Sequence, residues 1–313
     1  MNARRASLPL GVDVGRRRVR IARMERDSNG RARLIAIAAC DHDGDPLEAL
    51  LAALDELNTA ERRCVLALAA PDAVLCSADF PAMSRWERVN AARFEAARFI
   101  DYAVAEAAVS LVPTTVQQRW AIGIARRSAL AAASINAKRA GLHPLAIDDA
   151  AFALQRAQPE ADAVIDIGSE TTRLTIFGGT IPYVVCIPIG GERLTEGIAH
   201  SLGVDTAAAE ERKRRIGFGG AGEAQRDVLI SALGEGFAEA RTGGYTGIRH
   251  VVLCGNGSRV PGMDAAIERA TGYAVRPATL PPELSDTLPP DVLRAAAPDW
   301  SVAYGLSLWS IAS

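Results

Sequence analysis

Two copies of one short pattern, about half a chain apart, constrain this sequence more than any other feature. The first copy is Leu10-Gly11-Val12-Asp13-Val14-Gly15, followed by a polar turn and by renewed alternation at Val19-Arg20-Ile21. The second copy is Val164-Ile165-Asp166-Ile167-Gly168, followed by a polar turn and by renewed alternation from Leu174 to Phe177. Each copy predicts a strand, a tight turn and a second strand. Two such hairpins indicate two related halves that face one site.

The residue types in this pattern suit an anion site. Because Gly168 has no Cβ, backbone N–H groups of the turn can approach an anion closely. A carboxylate at the end of a strand, as at Asp166, can hold a hydrated Mg²⁺. One hairpin alone is more simply explained as an ordinary turn with polar residues, so the functional interpretation depends on the repetition.

A glycine-rich loop late in the chain completes the set. It reads Leu253-Cys254-Gly255-Asn256-Gly257-Ser258 and follows a predicted strand. Together the three segments resemble the two phosphate loops and the adenosine loop of the actin-like ATPase fold, which actin, Hsp70 chaperones and sugar kinases share. The resemblance implies an α/β chain with the two-domain, ribonuclease H-like architecture of that fold and a small inserted α/β subdomain.

Composition excludes several other classes. The formal net charge of −2 gives no overall attraction to nucleic acid or to an anionic membrane. Five scattered cysteines without a C-x-x-C pair, and four histidines without ligand spacing, predict free thiols in a reducing cytoplasm rather than disulfides or a metal centre. No secretory signal and no membrane span are expected, so any membrane association is predicted to come through a partner.

The order of predicted elements divides the chain into units. Strand, hairpin, helix and strand open a first domain at residues 1–160, and a strand–helix–strand–strand segment at about residues 75–125 is predicted to be an insertion within it. A second domain is predicted at residues 161–298, with an irregular proline-rich segment at 276–290 and a helix at 227–240. A helix at 128–140 is predicted to be capped by Ser128, and a final helix within 299–313 is expected to return to the first domain.

Several further segments resemble the PilM family, the cytoplasmic actin-like proteins of type IV pilus assembly, which are related to FtsA. The similar segments are residues 80–84, 95–100, 105–108, 140–148, 151–157 and 190–198. The resemblance implies a cytoplasmic scaffold, peripheral to the inner membrane, that binds the N-terminal tail of a PilN-like inner-membrane protein. The groove for that tail is expected beside the inserted subdomain, near Phe80, Phe94 or Phe99. Pilus assembly components are implied as partners, with no nucleic acid and no direct insertion into the membrane.

The resemblance also implies a site for ATP or ADP with Mg²⁺. Its phosphate contacts are expected at Asp13, Gly15, Arg16, Arg17, Arg20, Asp166, Gly168, Ser169 and Thr171, with Mg²⁺ held through water by Asp13 and Asp166. Its adenosine contacts are expected at Glu210, Lys213, Gly255, Asn256 and Gly257. Lys213 stands out because it and Lys138 are the only two lysines among 35 basic residues. The simpler alternative for Glu210 and Lys213 is a solvated charge run on one helical face.

The first turn departs from the family pattern. PilM proteins usually have Gly-Ser-Ser-Ser-Val-Lys where this chain has Gly15-Arg16-Arg17-Arg18-Val19-Arg20. Arginine pairs with phosphate, often bidentately, but it is larger than serine and differs in shape from lysine. We therefore expect at most a weak ATPase, and no catalytic residue is assigned.

A second functional class is a small-molecule kinase of the same fold. Such an enzyme needs a base within reach of the acceptor hydroxyl, and Asp148 or Asp149 are the candidates. No sugar-kinase motif surrounds them. Hsp70 is disfavoured because no substrate-binding domain is expected, and FtsA itself because no C-terminal amphipathic membrane helix is expected.

Overall fold

The computed structural model of the chain describes residues 6–280 and 288–309. Residues 281–287 of the predicted proline-rich segment, and the outer ends of the predicted units at 1–5 and 310–313, lie outside the described residues. The elements of the first part are β1 (Ala6–Ser7), β2 (Leu10–Val14), β3 (Arg18–Arg26), β4 (Ala32–Asp41), α1 (Pro46–Leu57), β5 (Arg63–Leu68), β6 (Ala73–Asp79), α2 (Arg85–Ala96), β7 (Ala107–Pro113), β8 (Arg119–Arg126), α3 (Arg127–Arg139), β9 (His143–Asp149) and α4 (Ala150–Ala157).

The second part likewise contains both strands and helices. Its elements are β10 (Ala163–Ile167), β11 (Thr172–Ile176), β12 (Tyr183–Ile187), α5 (Gly191–Leu202), α6 (Thr206–Ile216), α7 (Glu223–Thr242), β13 (His250–Cys254), α8 (Met263–Thr271), β14 (Ala274–Pro277) and α9 (Pro290–Ser307). Short 3₁₀ turns lie at Val104–Glu106 and Asn256–Arg259. Over the residues that the structure describes, no helix has both the length and the apolar composition needed to cross a bilayer.

Apart from β1, which pairs with β3 in the first sheet, the two large sheets have the same topology. In the first, β2, β3 and β4 form an antiparallel meander, and β5 and β9 add to β2 in parallel. In the second, β10, β11 and β12 form the meander, and β13 and β14 add to β10 in parallel. The repeated hairpins of the sequence are therefore the first two strands of two equivalent sheets, each with its own apolar core.

A three-stranded antiparallel sheet, in the order β6-β8-β7, is inserted between β5 and β9. Helix α2 covers one face of this sheet, because its small residues Ala92 and Ala96 pack against Cys76, Ile122 and Ile124. Ser84 caps α2 through a capping box with Glu87, as the sequence predicts. We call this unit, residues 73–126, the inserted subdomain.

Helix ends differ from the sequence prediction in three places. Helix α3 begins at Arg127 with Arg126 as its N-cap residue, so the predicted Ser128 cap is wrong; strand β8 runs into the helix with no intervening loop. Helix α7 is longer than predicted, and α9 begins at Pro290, where a proline fits the first helical turn.

Helix α9 connects the two halves. The hydroxyl of Ser307 donates to the carbonyl oxygen of Ala22 at 3.0 Å and accepts from the N–H of Gly11 at 2.8 Å, which ties α9 to the first sheet. In the middle of the helix, the carbonyl oxygen of Pro298 accepts from the N–H of Gly255 at 3.0 Å, in the loop after β13. The helix therefore links the first sheet to the glycine-rich loop of the second.

Candidate functional site

The turns of the two hairpins face each other across one cleft. Asp13 and Gly15 from the first turn, and Asp166 and Gly168 from the second, all line a cavity of about 120 Å³. This placement follows from the fold, since β2 and β10 occupy equivalent positions in the two sheets and both end at the cleft. The two turns have equivalent geometry: the N–H of Gly15 donates to Arg18 O at 3.0 Å, and the N–H of Gly168 to Thr171 O at 2.9 Å.

Each aspartate of the cleft has an arginine as its cross-strand partner. Asp13 lies opposite Arg20 in the β2–β3 register, and Asp166 lies opposite Arg173 in the β10–β11 register. Arg173 Nη2 donates to Asp166 Oδ2, while Arg20 Nη1 lies 3.9 Å from Asp13 Oδ2. Burial raises the pKa of Asp13; Arg20 opposes that rise and Asp166 adds to it.

The arginine-rich turn reaches across the cleft. Arg17 Nε lies 2.7 Å from Glu192 Oε1 at the start of α5, and Arg16 Nε lies 3.4 Å from Glu170 Oε2 in the second turn. Arg18 stays within the first half, 2.6 Å from Asp41. Two of the three extra arginines thus form ion pairs between the halves. All are exposed or half-exposed, so each pair contributes little to stability by itself.

A larger cavity, of about 860 Å³, adjoins the small one and shares Arg17, Gly168, Ser169 and Asn256 with it. Its volume lies in the range of small-molecule sites. Side chains of α5 and α6, including Thr195, Glu210 and Lys213, form one wall, and Gly257 of the glycine-rich loop lies at another. The structure therefore brings the predicted phosphate and adenosine residues together around two connected cavities.

Close packing within the protein requires glycine at two positions of the late loop. Gly255 has a φ of +75°, and a Cβ there would lie 2.5 Å from Asp166 Oδ1; a Cβ at Gly257 would lie 2.2 Å from Ile167 Cγ2. The resemblance implies adenosine contacts at these positions. The structure gives a reason for glycine that needs no ligand, which is close contact of the loop with the end of β10.

Lys213 and Glu210 form a bonded cluster at the wall of the larger cavity. The Lys213 ammonium donates to Gly191 O at 2.8 Å and to Thr195 Oγ1 at 2.6 Å, and it forms an ion pair with Glu210 Oε2 at 2.6 Å. Lys213 is only 4% exposed. Burial lowers its pKa, and the Glu210 carboxylate opposes that effect. Lys213 thus holds α5 against α6 and positions Glu210, which is more exposed.

Replacing Lys213 is expected to loosen this wall. Lys213→Met keeps the length of the side chain but leaves Glu210 without its buried partner, and we expect it to lower the free energy of unfolding by about 2 kcal/mol. Urea unfolding followed by circular dichroism measures the change. Lys138→Met is the matched control, because Lys138 is exposed on α3, and it should change stability by less than about 0.5 kcal/mol. Equal effects of the two substitutions would contradict the positioning role.

The aromatic residues predicted for a partner groove lie in different environments. Phe80 is 6% exposed and belongs to the core of the inserted subdomain, so it offers no surface. Phe94 is 81% exposed on α2, and Phe99 is 46% exposed just after it. A separate apolar groove of about 160 Å³ lies on the other face of the three-stranded sheet, between that sheet, β5, β9 and α3; we call it the subdomain groove, and it is lined by residues such as Leu68, Leu75, Val109, Gly123 and Leu130.

The candidate bases for a kinase lie away from the nucleotide cavities. Asp148 forms an ion pair with Arg156, and Asp149 caps α4 by accepting from Ala151 N at 2.8 Å. Burial raises the pKa of Asp149 to about 6. Both carboxylates line the subdomain groove instead of the cleft. Their contacts are those of structural residues.

Sequence reasoning missed several residues of the cleft. Arg173, Glu192 and Thr195 line the cavities but were not predicted. Arg173 carried a usable signal: it stands seven residues after Asp166, as Arg20 stands seven residues after Asp13. Glu192 and Thr195 carried none, because their roles depend on how α5 packs against the turn and against α6.

Comparison with known proteins supports the fold and the resemblance. A family model described as cell division protein FtsA matches residues 163–304. FtsA of Bacillus subtilis (strain 168) is 31% identical over 102 residues, which are 32% of this chain. The chain spans only 23% of the length of that relative.

Solved structures match over nearly the whole chain. The structure of a PilM–PilN type IV pilus biogenesis complex matches with a TM-score of 0.81 and 26% identity, over 96% of this chain and 97% of that one. The ethanolamine utilization protein EutJ from Carboxydothermus hydrogenoformans matches with a TM-score of 0.57 and 17% identity, over 96% of this chain and 89% of that one. The actin-like fold and the resemblance to PilM, both predicted from the sequence, are confirmed.

Proposed function

Because the chain is a PilM-like protein with the actin-like ATPase fold, we propose that it is a scaffold of a type IV pilus or related assembly machine. In this proposal it binds the N-terminal tail of a PilN-like inner-membrane protein and works in the cytoplasm, peripheral to the membrane through that partner. The match to the PilM–PilN complex carries the proposal, since it extends over 96% of this chain. A structural role in pilus assembly is the function that this match supports best.

We propose the subdomain groove as the binding site for the N-terminal tail of the PilN-like partner. Its lining is mostly apolar, apart from Ser110, Asp148 and Asp149. Leu75 and Ala108 lie on the sheet face that α2 does not cover, and Gly123 leaves open space in the middle strand of that face. An apolar groove on a sheet face suits a short segment that inserts a few apolar side chains. The exposed face of α2, with Phe94 and Phe99, is the alternative surface of the same subdomain.

The cleft between the halves is the proposed site for ATP or ADP. The small cavity would take the phosphates against the turns after Asp13 and Asp166, and the larger cavity would take the nucleoside near Glu210 and the loop of Gly255–Gly257. A ligand held in this way touches both halves, so its presence biases the cleft toward closure. Hydrolysis is proposed to be weak, because Arg16 and Arg17 occupy the turn that carries hydroxyl groups in the family pattern.

A binding titration tests the scaffold proposal. The titration uses fluorophore-labelled synthetic peptides that correspond to the N-terminal tails of PilN-like proteins. The fluorescence anisotropy of these peptides should rise when the protein is added at micromolar concentrations. A scrambled peptide of the same composition should not bind. A phosphotransfer screen with ATP and small hydroxyl-bearing acceptors should give no product. Absence of peptide binding together with a transferred phosphoryl group would contradict the scaffold and favour the kinase.

A further inference from the structure

The actin-like fold implies a divalent cation beside its two aspartates, and the residues of this cleft can be tested for their fit to one. Mg²⁺ requires oxygen ligands in octahedral geometry and is attracted by net negative charge. Here Asp13 and Asp166 are matched one for one by Arg20 and Arg173, which line the same cavity. The small cavity as a whole is lined by five arginines against four carboxylates, so it has no net negative charge with which to attract a cation.

The contacts of Asp166 and Arg20 also disfavour a bound Mg²⁺. One oxygen of Asp166 is occupied by Arg173, and the Asp166 side chain is only 8% exposed, which leaves little room for a hydrated ion on that side. The Arg20 side chain is 11% exposed and lies beside Asp13, on the face of the first sheet opposite Val12 and Ile21. Arginine cannot give up its proton, so neither positive charge can be removed to admit Mg²⁺.

The same two arginines line the small cavity. Among the described residues no group pairs with the Nε atoms of Arg20 and Arg173, but these atoms are closed off from the cavity, and the Nε atoms of Arg23 and Arg88 are in the same state elsewhere. The terminal nitrogens of Arg20 and Arg173 are therefore the donors that a phosphate group would meet. A guanidinium binds phosphate oxygens with parallel N–H donors and brings positive charge to them, as Mg²⁺ does elsewhere.

We propose that this cleft binds the free polyanion of a nucleoside di- or triphosphate, with Arg20 and Arg173 in place of a divalent cation. The inference rests on the proposed nucleotide site and defines its ligand as the metal-free form. It accounts for the equivalent position of the two arginines in the two hairpins. A nucleotide held in this way would act as a structural ligand that ties the two halves together.

Calorimetric titration of the unmodified protein with ATP tests the proposal without any variant. The dissociation constant of ATP in EDTA is expected to be no more than about threefold higher than in excess MgCl₂. The reason is that Mg²⁺ offsets the phosphate charge that the arginines recognise. A dissociation constant that rises about tenfold or more in EDTA would overturn the inference and leave the nucleotide site standing. No ATP binding in either buffer would overturn both, while the peptide titration would still decide the scaffold role.

Variants sharpen the same measurement. Arg173→Asn should weaken ATP binding in EDTA by about tenfold and make the affinity rise on addition of MgCl₂, because Asp166 then has a free oxygen for a hydrated ion. Arg173→Lys keeps the charge and should retain binding in EDTA. Arg139→Asn, at an exposed position of α3, is the control. It should change the ATP affinity neither in EDTA nor in MgCl₂. Thermal unfolding of each variant establishes that it is folded; equal ATP affinity of Arg173→Asn and the unmodified protein in EDTA would also overturn the proposal.

Discussion

Gly305→Ala is expected to lower the free energy of unfolding by about 3 kcal/mol, although it adds a single methyl group. Helix α9 packs so closely on α4 that a Cβ at Gly305 would lie 1.9 Å from the carbonyl oxygen of Ala153. The obstacle is backbone, so no side-chain rotation relieves it. The Gly305 carbonyl oxygen also accepts from Arg156 Nε at 2.9 Å, which a shifted helix would lose.

Gly234→Ala is the matched control for this prediction. Gly234 also lies inside a helix, α7, but a Cβ there would meet no atom within 4 Å in the part of the chain that the structure describes. Alanine favours a helix over glycine, so this substitution should stabilise the fold by about 0.5–1 kcal/mol. Urea unfolding gives both values. If both substitutions stabilise the protein, α9 does not contact α4 as the structure describes.

Gly123→Phe is expected to weaken binding of the PilN-like tail by about a hundredfold or more. A Cβ at Gly123 would meet no atom of the described residues within 4 Å, and a side chain there would extend into the subdomain groove. Gly123 lies opposite Leu75 and Ser110 in the neighbouring strands, at the middle of the groove floor. The ring would therefore occupy the space that we assign to the tail.

Phe94→Ala separates the groove from the alternative surface. Phe94 lies on α2, which covers the opposite face of the same sheet, and its removal should leave peptide affinity within about twofold. Anisotropy titrations of both variants make the comparison, and ATP binding should be unchanged in each. Loss of peptide binding in Phe94→Ala, with normal binding in Gly123→Phe, would move the partner site to the aromatic face of α2.

The equivalence of the two halves was predictable from the sequence because it resides in local patterns. A strand that ends in aspartate and glycine is visible in a few residues, and its recurrence at Asp13 and Asp166 is sufficient to indicate two related sheets. The placement of both aspartates on one cavity then follows from the fold.

The roles of single residues were less predictable because they depend on packing between distant segments. The hydrophobicity of Phe80 fits a groove and a core equally well, and only the structure places it in the core. Gly255 and Gly257 stand out in the sequence as part of a glycine-rich loop, but the contact that excludes a side chain is with Asp166 and Ile167, about 90 residues earlier.

The arginines of the first turn illustrate the same limit. The sequence indicated that Arg16 and Arg17 depart from the family pattern, which predicted a change in the phosphate site. Their ion pairs with Glu170 and Glu192 depend on the approach of the two halves, which no local pattern encodes.

Hydrogen–deuterium exchange with and without ATP tests most directly the claim that the two hairpins form one nucleotide site. A ligand seated between the halves should slow exchange together at the amides of residues 15–18, 168–171 and 255–257, because all three segments line the same connected cavities. Simultaneous protection of the three segments is the result that we predict. Protection in only one half, or in none of the three segments at saturating ATP, would contradict it.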